Sequence, residues 1–261
     1  VSNAVLAGCT VWLTRPAHQA ASWAAAIEAA GGTALCEPLL DIQPPADERT
    51  ARAELARAAD ADIVIATSAN AVAGAWALQP DFAPSGLLFG VGSATARALA
   101  AASGRSVAQP ADCYSSEDLL ALDSLTQTVG RRIALLSGEG GRTALAETLT
   151  ERGAQVDKVA LYRRMPAAVS RSALAALASR CHAIVVTSGE ALACLDTLLA
   201  DVADADTRDR LLGCRLVAPS MRVVKQQGIC LRWSDPPVIV DRVSADAVVL
   251  ALARIWRGNR Q

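Results

Sequence analysis

The residues predict an α/β fold of two similar Rossmann-like lobes, each a parallel sheet in a three-layer arrangement, joined by a two-stranded linker. Three observations lead there. Short aliphatic runs alternate with Ala-rich helical stretches almost throughout, three strand-to-helix turns recur in one order at nearly one offset, and two extended, proline-punctuated segments interrupt the alternation. A chain of 261 residues, 52% of them hydrophobic and 20% charged, has material for two cores and is not a disordered one.

The units follow in order. Val11-Trp12-Leu13 reads as the first strand, and Pro16 opens a helix running from about Ala17 to Ala30 that Gly31-Gly32 closes. Proline at the first helical position and glycine just past the last is the expected asymmetry. Asp62 to Ala66 leads into a helix after Ser68, and Leu87 to Val91 into one after Gly92. Ile133 to Leu136 precedes a helix near Gly141 to Arg152. Ala183 to Val186 precedes one after Ser188, and Arg215 to Val217 one after Pro219.

The turns repeat. Ile63 to Ala71 resembles Ile184 to Ala191, Val91-Gly92-Ser93 matches Val217-Ala218-Pro219, and Leu13-Thr14-Arg15 matches Leu136-Ser137-Gly138, each pair separated by roughly 120–126 positions. That pattern predicts a duplicated α/β half. The segments that break it, Cys36 to Pro45 and Val156 to Pro166, form a bridge if they pair side by side. Lobe 1 is then 1–37 with 167–261, lobe 2 is 45–157, and the linker is 38–44 with 158–166. A chain that crosses twice leaves a cleft between lobes whose opening depends on the linker.

Composition removes several function classes. Lys and Arg number 25 against 26 Asp and Glu, a net charge of -1, so no basic field attracts nucleic acid or an anionic membrane. No apolar run approaches the 18 or so residues of a membrane helix. Leu6-Ala7-Gly8-Cys9 has the look of a lipoprotein cleavage box, but no basic leader and apolar stretch precede it. Seven cysteines, odd in number and scattered singly, fit a reducing compartment better than a disulfide framework or a zinc site, so the chain is expected in the cytoplasm. A neutral surface makes a monomer the expected state. Gly90 to Thr95 matches a dinucleotide fingerprint only loosely and not in the first strand–helix unit, while Gly138 to Thr143 lacks the ending of a phosphate loop and carries Glu139. Cys181 and His182 are neighbours on a strand and point to opposite faces, so they do not form a nucleophile–base pair.

In a parallel sheet every strand-to-helix turn lies at the carboxyl edge, where helix N-termini present free N–H groups. Thr14, Ser68, Ser93, Ser137, Ser188 and Ser220 all fall in such turns. Each can cap its helix; together they line an edge with donors for anionic oxygens. Tyr162 lies on the extended segment beside that cleft, where a phenol serves as a hydrogen-bond donor or weak general acid, or packs its ring on one lobe.

Taken in order, these residues resemble the uroporphyrinogen-III synthase family. The matching pieces are Leu13-Thr14-Arg15-Pro16, Thr67 to Val72, Val91 to Arg97, Tyr114-Ser115-Ser116-Glu117, Ser137 to Arg142, Gly153 to Val156 leading to Leu161-Tyr162-Arg163-Arg164, Val186-Thr187-Ser188 and Val243-Ser244-Ala245, nearly the whole chain. The resemblance implies a cofactor-free lyase of two linked α/β lobes. Its substrate is hydroxymethylbilane, received from hydroxymethylbilane synthase. The family's reaction loses the hydroxyl to give an azafulvene, attacks ring D at its substituted carbon, passes through a spiro-pyrrolenine and closes the ring with that pyrrole inverted. Tyr162 matches the family's tyrosine, thought to assist hydroxyl departure. Each pyrrole carries an acetate and a propionate, so Thr14, Arg15, Ser68, Asn70, Gly92, Ser93, Thr95, Ser137, Gly138, Thr187, Ser188 and Ser220 are the expected carboxylate binders. Two positions depart from the pattern: Ala218-Pro219-Ser220-Met221 replaces a Gly-Pro-x-Thr turn and is one residue shorter before Gly228, and Glu190 stands where the first copy has Asn70. The other reading of the same features is a non-catalytic two-lobe protein that closes on a small anion and regulates.

Overall fold

The computed structural model describes residues 4–110, 116–141, 143–226, 232–240 and 244–258. Tyr114, Ser115, Arg142, Gly228 and Val243, named above, lie outside the described residues, as do Cys113 and Cys230 of the seven cysteines.

The chain opens with β1 (Thr10–Leu13), α1 (Ala17–Ala29), β2 (Thr33–Cys36) and β3 (Leu40–Gln43). Pro16 stands one position before α1, with φ -49, and Gly31 follows it with φ +85, where a β-carbon is disfavoured. Next come α2 (Glu48–Ala58), β4 (Ile63–Ala66), α3 (Ala69–Leu78), β5 (Leu87–Gly90) and α4 (Ser93–Ser103). The short helices α5 (Ser116–Leu120) and α6 (Asp123–Thr126) lead to β6 (Arg132–Gly138), α7 (Ala144–Glu151) and the long β7 (Gln155–Pro166). The remainder is α8 (Arg171–Arg180), β8 (Ala183–Val185), α9 (Gly189–Ala200), α10 (Ala205–Leu212), β9 (Arg215–Ala218), α11 (Met221–Gln226), β10 (Val238–Ile239) and α12 (Ala245–Gly258).

Two compact units result. Unit 1 comprises Val1–Asp41 and Met165–Gln261, and unit 2 comprises Ile42–Arg164. The sheet of unit 1 runs β10-β9-β8-β1-β2, and β1 pairs in parallel with β2 and β8. The sheet of unit 2 runs β3-β7-β6-β4-β5, and β4 and β7 both pair in parallel with β6. Residues 158–162, read from the sequence as linker, are paired with β6 in this sheet.

Both sheets are covered on both faces, which is why their strands are near-continuous aliphatic runs. In unit 2, Val64 and Ala66 pack in one cluster with Leu136 and Leu161, while Ile63 and Ile65 pack in another with Ile133 and Leu149. In unit 1, Val11 and Leu13 face Ile27 and Leu252, while Trp12 faces Leu177, Leu195 and Leu216. Side chains alternate sides along a strand, so each unit has helix, sheet and helix in three layers. The strand sequence β7-β6-β4-β5 in unit 2 has the same order as β2-β1-β8-β9 in unit 1. The recurrent turns (Ser68 with Ser188, Gly92 with Ala218, Ser137 with Thr14) end corresponding strands in that order. No helix among the described residues is long and apolar enough to cross a membrane.

Candidate functional site

The carboxyl edge of unit 2 holds Tyr162. It sits on β7 with 6% of its surface exposed. Its hydroxyl oxygen accepts hydrogen bonds from Ser68 Oγ at 3.2 Å and from Arg164 Nη1 at 3.0 Å. Residues two apart on a strand share a face, and the Arg164 guanidinium also lies 5.6 Å from the centre of the Tyr162 ring. Ser68 is the N-cap of α3: its Oγ accepts the Ala71 N–H at 3.1 Å, so its own proton is the one given to the phenol. With both donors aimed at the phenolic oxygen, the phenol's proton is left for a third partner.

Gly138 makes room for this arrangement. It pairs with Tyr162 across a register shift between Ser137 and Gly138, and it carries no side chain to meet the ring. The Glu139 N–H donates to the Tyr162 carbonyl at 2.8 Å, and Glu139 Oε1 accepts the Ala46 N–H at 2.6 Å. The tyrosine is thus held at its backbone, its ring and its hydroxyl. Asn70 lies in the first turn of α3, and Thr67 donates through Oγ1 to the Leu136 carbonyl at 3.1 Å. At the next turn Gly92, in extended conformation, is the N-cap of α4, with Ser93 its first residue and Thr95 buried inside the helix. Glycine thus takes the cap position expected of Ser93, so the turn offers an anion backbone N–H groups beside the Ser93 hydroxyl.

The carboxyl edge of unit 1 carries a second set. Ser188 caps α9 through Ala191 N at 3.1 Å, with φ -151 and ψ 159, close to the φ -158 and ψ 157 of Ser68. Ser220 accepts the Val223 N–H at 3.2 Å at the start of α11. Thr187 precedes the Ser188 cap, and Glu190 is exposed in the first turn. Thr14 differs from the expectation. It is 1% exposed and its Oγ1 donates to the Val185 carbonyl at 2.8 Å, so its hydroxyl ties β1 to β8. Arg15 stacks 4.6 Å from the Trp23 ring, and its Nη2 donates to Gln19 Oε1 at 2.9 Å. Its buried Nε has no partner among the described residues, and burial pushes the guanidinium below its ordinary value.

The predicted residues therefore fall at two edges. Ser68, Asn70, Gly92, Ser93, Thr95, Ser137, Gly138 and Tyr162 gather in unit 2, and Thr14, Arg15, Thr187, Ser188 and Ser220 in unit 1. Sequence reasoning missed Arg164, although the i, i+2 rule for a strand was enough to place it on the face of Tyr162. It also missed Trp23, which α1 brings beneath the Arg15 guanidinium.

Comparison with known proteins gives a consistent answer. Residues 21–226 match the family model described as uroporphyrinogen-III synthase HemD. The chain is 31% identical over 255 residues to a uroporphyrinogen-III synthase of Escherichia coli K12, covering 93% of this chain and 99% of that protein. It is 34% identical over 258 residues to one of Salmonella typhimurium LT2, with the same coverages of 93% and 99%. Among solved structures, a mutant uroporphyrinogen III synthase of the extremely thermophilic bacterium Thermus thermophilus superposes with a TM-score of 0.60 at 19% identity over 96% of this chain and 99% of that one. A uroporphyrinogen-III synthetase of Helicobacter pylori 26695 gives 0.54 at 16% identity over 95% and 99%. At these identities the two structures speak to the fold.

Proposed function

The chain belongs to the uroporphyrinogen-III synthase family, and on that premise we propose how its residues carry the reaction, with Tyr162 as the proton donor. The activity is that of a cofactor-independent lyase of haem biosynthesis, and the family's substrate is hydroxymethylbilane. Membership favours this enzyme over a non-catalytic anion-binding protein.

Hydroxymethylbilane closes without an enzyme to the uninverted isomer. The catalyst must therefore bring a flexible linear tetrapyrrole to the bent geometry of the spiro centre, which is a positioning task. We assign carboxylate binding to the turns of both units: the N–H groups opening α3, α4, α9 and α11, the Ser93, Ser137 and Ser220 hydroxyls, and the Arg15 guanidinium. For Thr14 and Thr187 the contact assigned is through the backbone of their turns.

Hydroxyl departure requires a proton. The observation that carries the assignment is the pair of donors on the phenolic oxygen, Ser68 Oγ and Arg164 Nη1. They orient the phenol so that its proton points to the substrate, and they receive the negative charge left on the oxygen after transfer. The phenolate regains its proton from the ring D carbon that rearomatises as the macrocycle closes, so the net loss is one water and the cycle needs no carrier. The two-stranded linker in this reading is 38–44 with 158–166, carried by β3 and the end of β7 where the chain passes from one unit to the other.

We further read the protein as a cytoplasmic monomer supplied by hydroxymethylbilane synthase; the scattered cysteines and net charge of -1 support that reading. The test of function supplies hydroxymethylbilane made fresh by its synthase and resolves the uroporphyrinogen isomers that accumulate. Type III is expected. Type I alone, at the uncatalysed rate, overturns the proposal.

A further inference from the structure

Away from the carboxyl edge, unit 1 contains a cavity of about 310 Å³ at the amino ends of its strands, lined by Cys9, Cys181, His182, Cys214, Arg215 and Trp256 among others. The reaction above uses none of these groups. Among the described residues no set of His, Cys, Asp and Glu side chains is arranged to hold a metal ion, so the thiols are not a zinc site.

Two of the three sulfurs belong together. Cys181 is the C-cap of α8, two residues before β8, and Cys214 is the residue just before β9. The strands pair in parallel with Ala183 beside Arg215, and the Arg215 N–H donates to the His182 carbonyl at 2.9 Å. Both cysteines thus precede the first rung of the ladder, Cys214 by one residue and Cys181 by two. Both pack in the cluster around Trp12 and Leu216, whereas Cys9 packs on the opposite face of the sheet. The Cys214 S–H donates to the Cys181 carbonyl at 3.2 Å, and the Cys181 S–H donates to the Ala183 carbonyl at 3.0 Å.

We propose that Cys181 and Cys214 form an oxidisable dithiol that closes to a disulfide when a hydroperoxide enters this cavity. Their environments divide the roles. Cys181 is half-buried at the cavity wall, and Cys214 is 4% exposed behind it. The interaction between the two side chains holds the Cys181 thiol below its ordinary value, while the same interaction and burial drive Cys214 up. Cys181 is then the nucleophile. Its thiolate attacks one peroxide oxygen, the O–O bond breaks, and the departing hydroxide is protonated to water, leaving Cys181 as a sulfenic acid. The Cys214 sulfur attacks the Cys181 sulfur, the S–O bond breaks, and the leaving hydroxide takes the Cys214 proton as a second water. Two thiols and one hydrogen peroxide give one disulfide and two waters.

Tryptic mapping tests this on the full chain, since cleavage after Arg180, Arg208, Arg210 and Arg215 places the two cysteines on different peptides. Graded hydrogen peroxide is followed by alkylation of the remaining thiols and mass spectrometry. The expected product is the 181–208 peptide joined to the 211–215 peptide, two hydrogens lighter than their sum and separated again by dithiothreitol. Fragmentation distinguishes Cys181 from Cys194 on the first peptide. Cys36→Ser, which removes an exposed thiol, leaves the cross-link unchanged, and Cys214→Ser leaves Cys181 as a sulfenic acid that a cyclic 1,3-dione captures. A cross-link between any other pair overturns the proposal, as does peroxide that modifies Cys36 while both peptides stay reduced. Mapping of the unsubstituted protein decides the matter even if a serine variant fails to fold.

Discussion

The ring of Tyr162 lies so close to Gly138 that a β-carbon on the glycine would sit 2.6 Å from its Cζ. Glycine is needed here for lack of bulk, because the ring occupies the space a side chain would take. Gly138→Ala must displace the ring, and with it the hydroxyl, from Ser68 Oγ and Arg164 Nη1. A shift of about 1 Å at a reacting group can cost ~10²-fold in rate. The expected outcome is a kcat loss of that order with substrate binding at the other turns retained. Steady-state kinetics with isomer analysis checks it; unchanged kcat would mean that the phenol tolerates displacement.

Removing the hydroxyl alone is the sharper test of its chemistry. Tyr162→Phe keeps the ring on Gly138 and takes away the proton. Loss of a general acid costs about 10²–10⁴-fold. The variant leaves Ser68 and Arg164 without their shared acceptor, a stability loss of about 1 kcal/mol. Turnover should fall sharply while the melting temperature moves little. Wild-type turnover would reduce Tyr162 to a packing residue.

Ser68 and Ser188 make a matched pair for separating a cap from a catalytic contact. Each accepts an N–H three residues on at 3.1 Å, but only Ser68 also donates to Tyr162. Ser68→Ala and Ser188→Ala should each cost about 1 kcal/mol of stability. Only the first should lower kcat, since it removes a donor from the phenol. The second should raise KM, as a weakened carboxylate site does. Equal kinetic effects in the two variants would detach Ser68 from the proton donor.

That matched pair also shows what the residues revealed before any coordinates. A strand buried on both faces is written as an aliphatic run, and the turn after it needs a cap, so Ile63 to Ser68 and Ile184 to Ser188 announced equivalent places in two sheets. The order β7-β6-β4-β5 and its counterpart β2-β1-β8-β9 agree with that echo, but the order itself is known only from the sheets. Side-chain direction was harder. Thr14 stood in a turn like the others, yet its hydroxyl is turned inward to the Val185 carbonyl, which its backbone N–H also reaches at 3.4 Å. The Cys181–Cys214 contact was beyond reach, as it depends on which two strands become neighbours in the sheet. Arg164 is legible in principle, since residues two apart on a strand share a face.

The seat of Tyr162 extends one helix further. Gly74 lies inside α3, and a β-carbon there would come within 2.4 Å of the Leu161 carbonyl oxygen, the residue before the tyrosine. Two effects oppose each other in Gly74→Ala. Helix propensity favours alanine by about 1 kcal/mol. Overpacking costs about 1–3 kcal/mol, and here the obstacle is strand backbone, which cannot rotate away as a side chain would. The clash should win, giving net destabilisation by denaturant titration. Because α3 would be pushed from β7 while carrying Ser68, the Ser68 contact with the phenol should loosen too, and kcat should fall with stability. A more stable variant with full activity would show that α3 can shift along β7 without disturbing the hydroxyl, and would leave Gly138 as the only glycine the tyrosine requires.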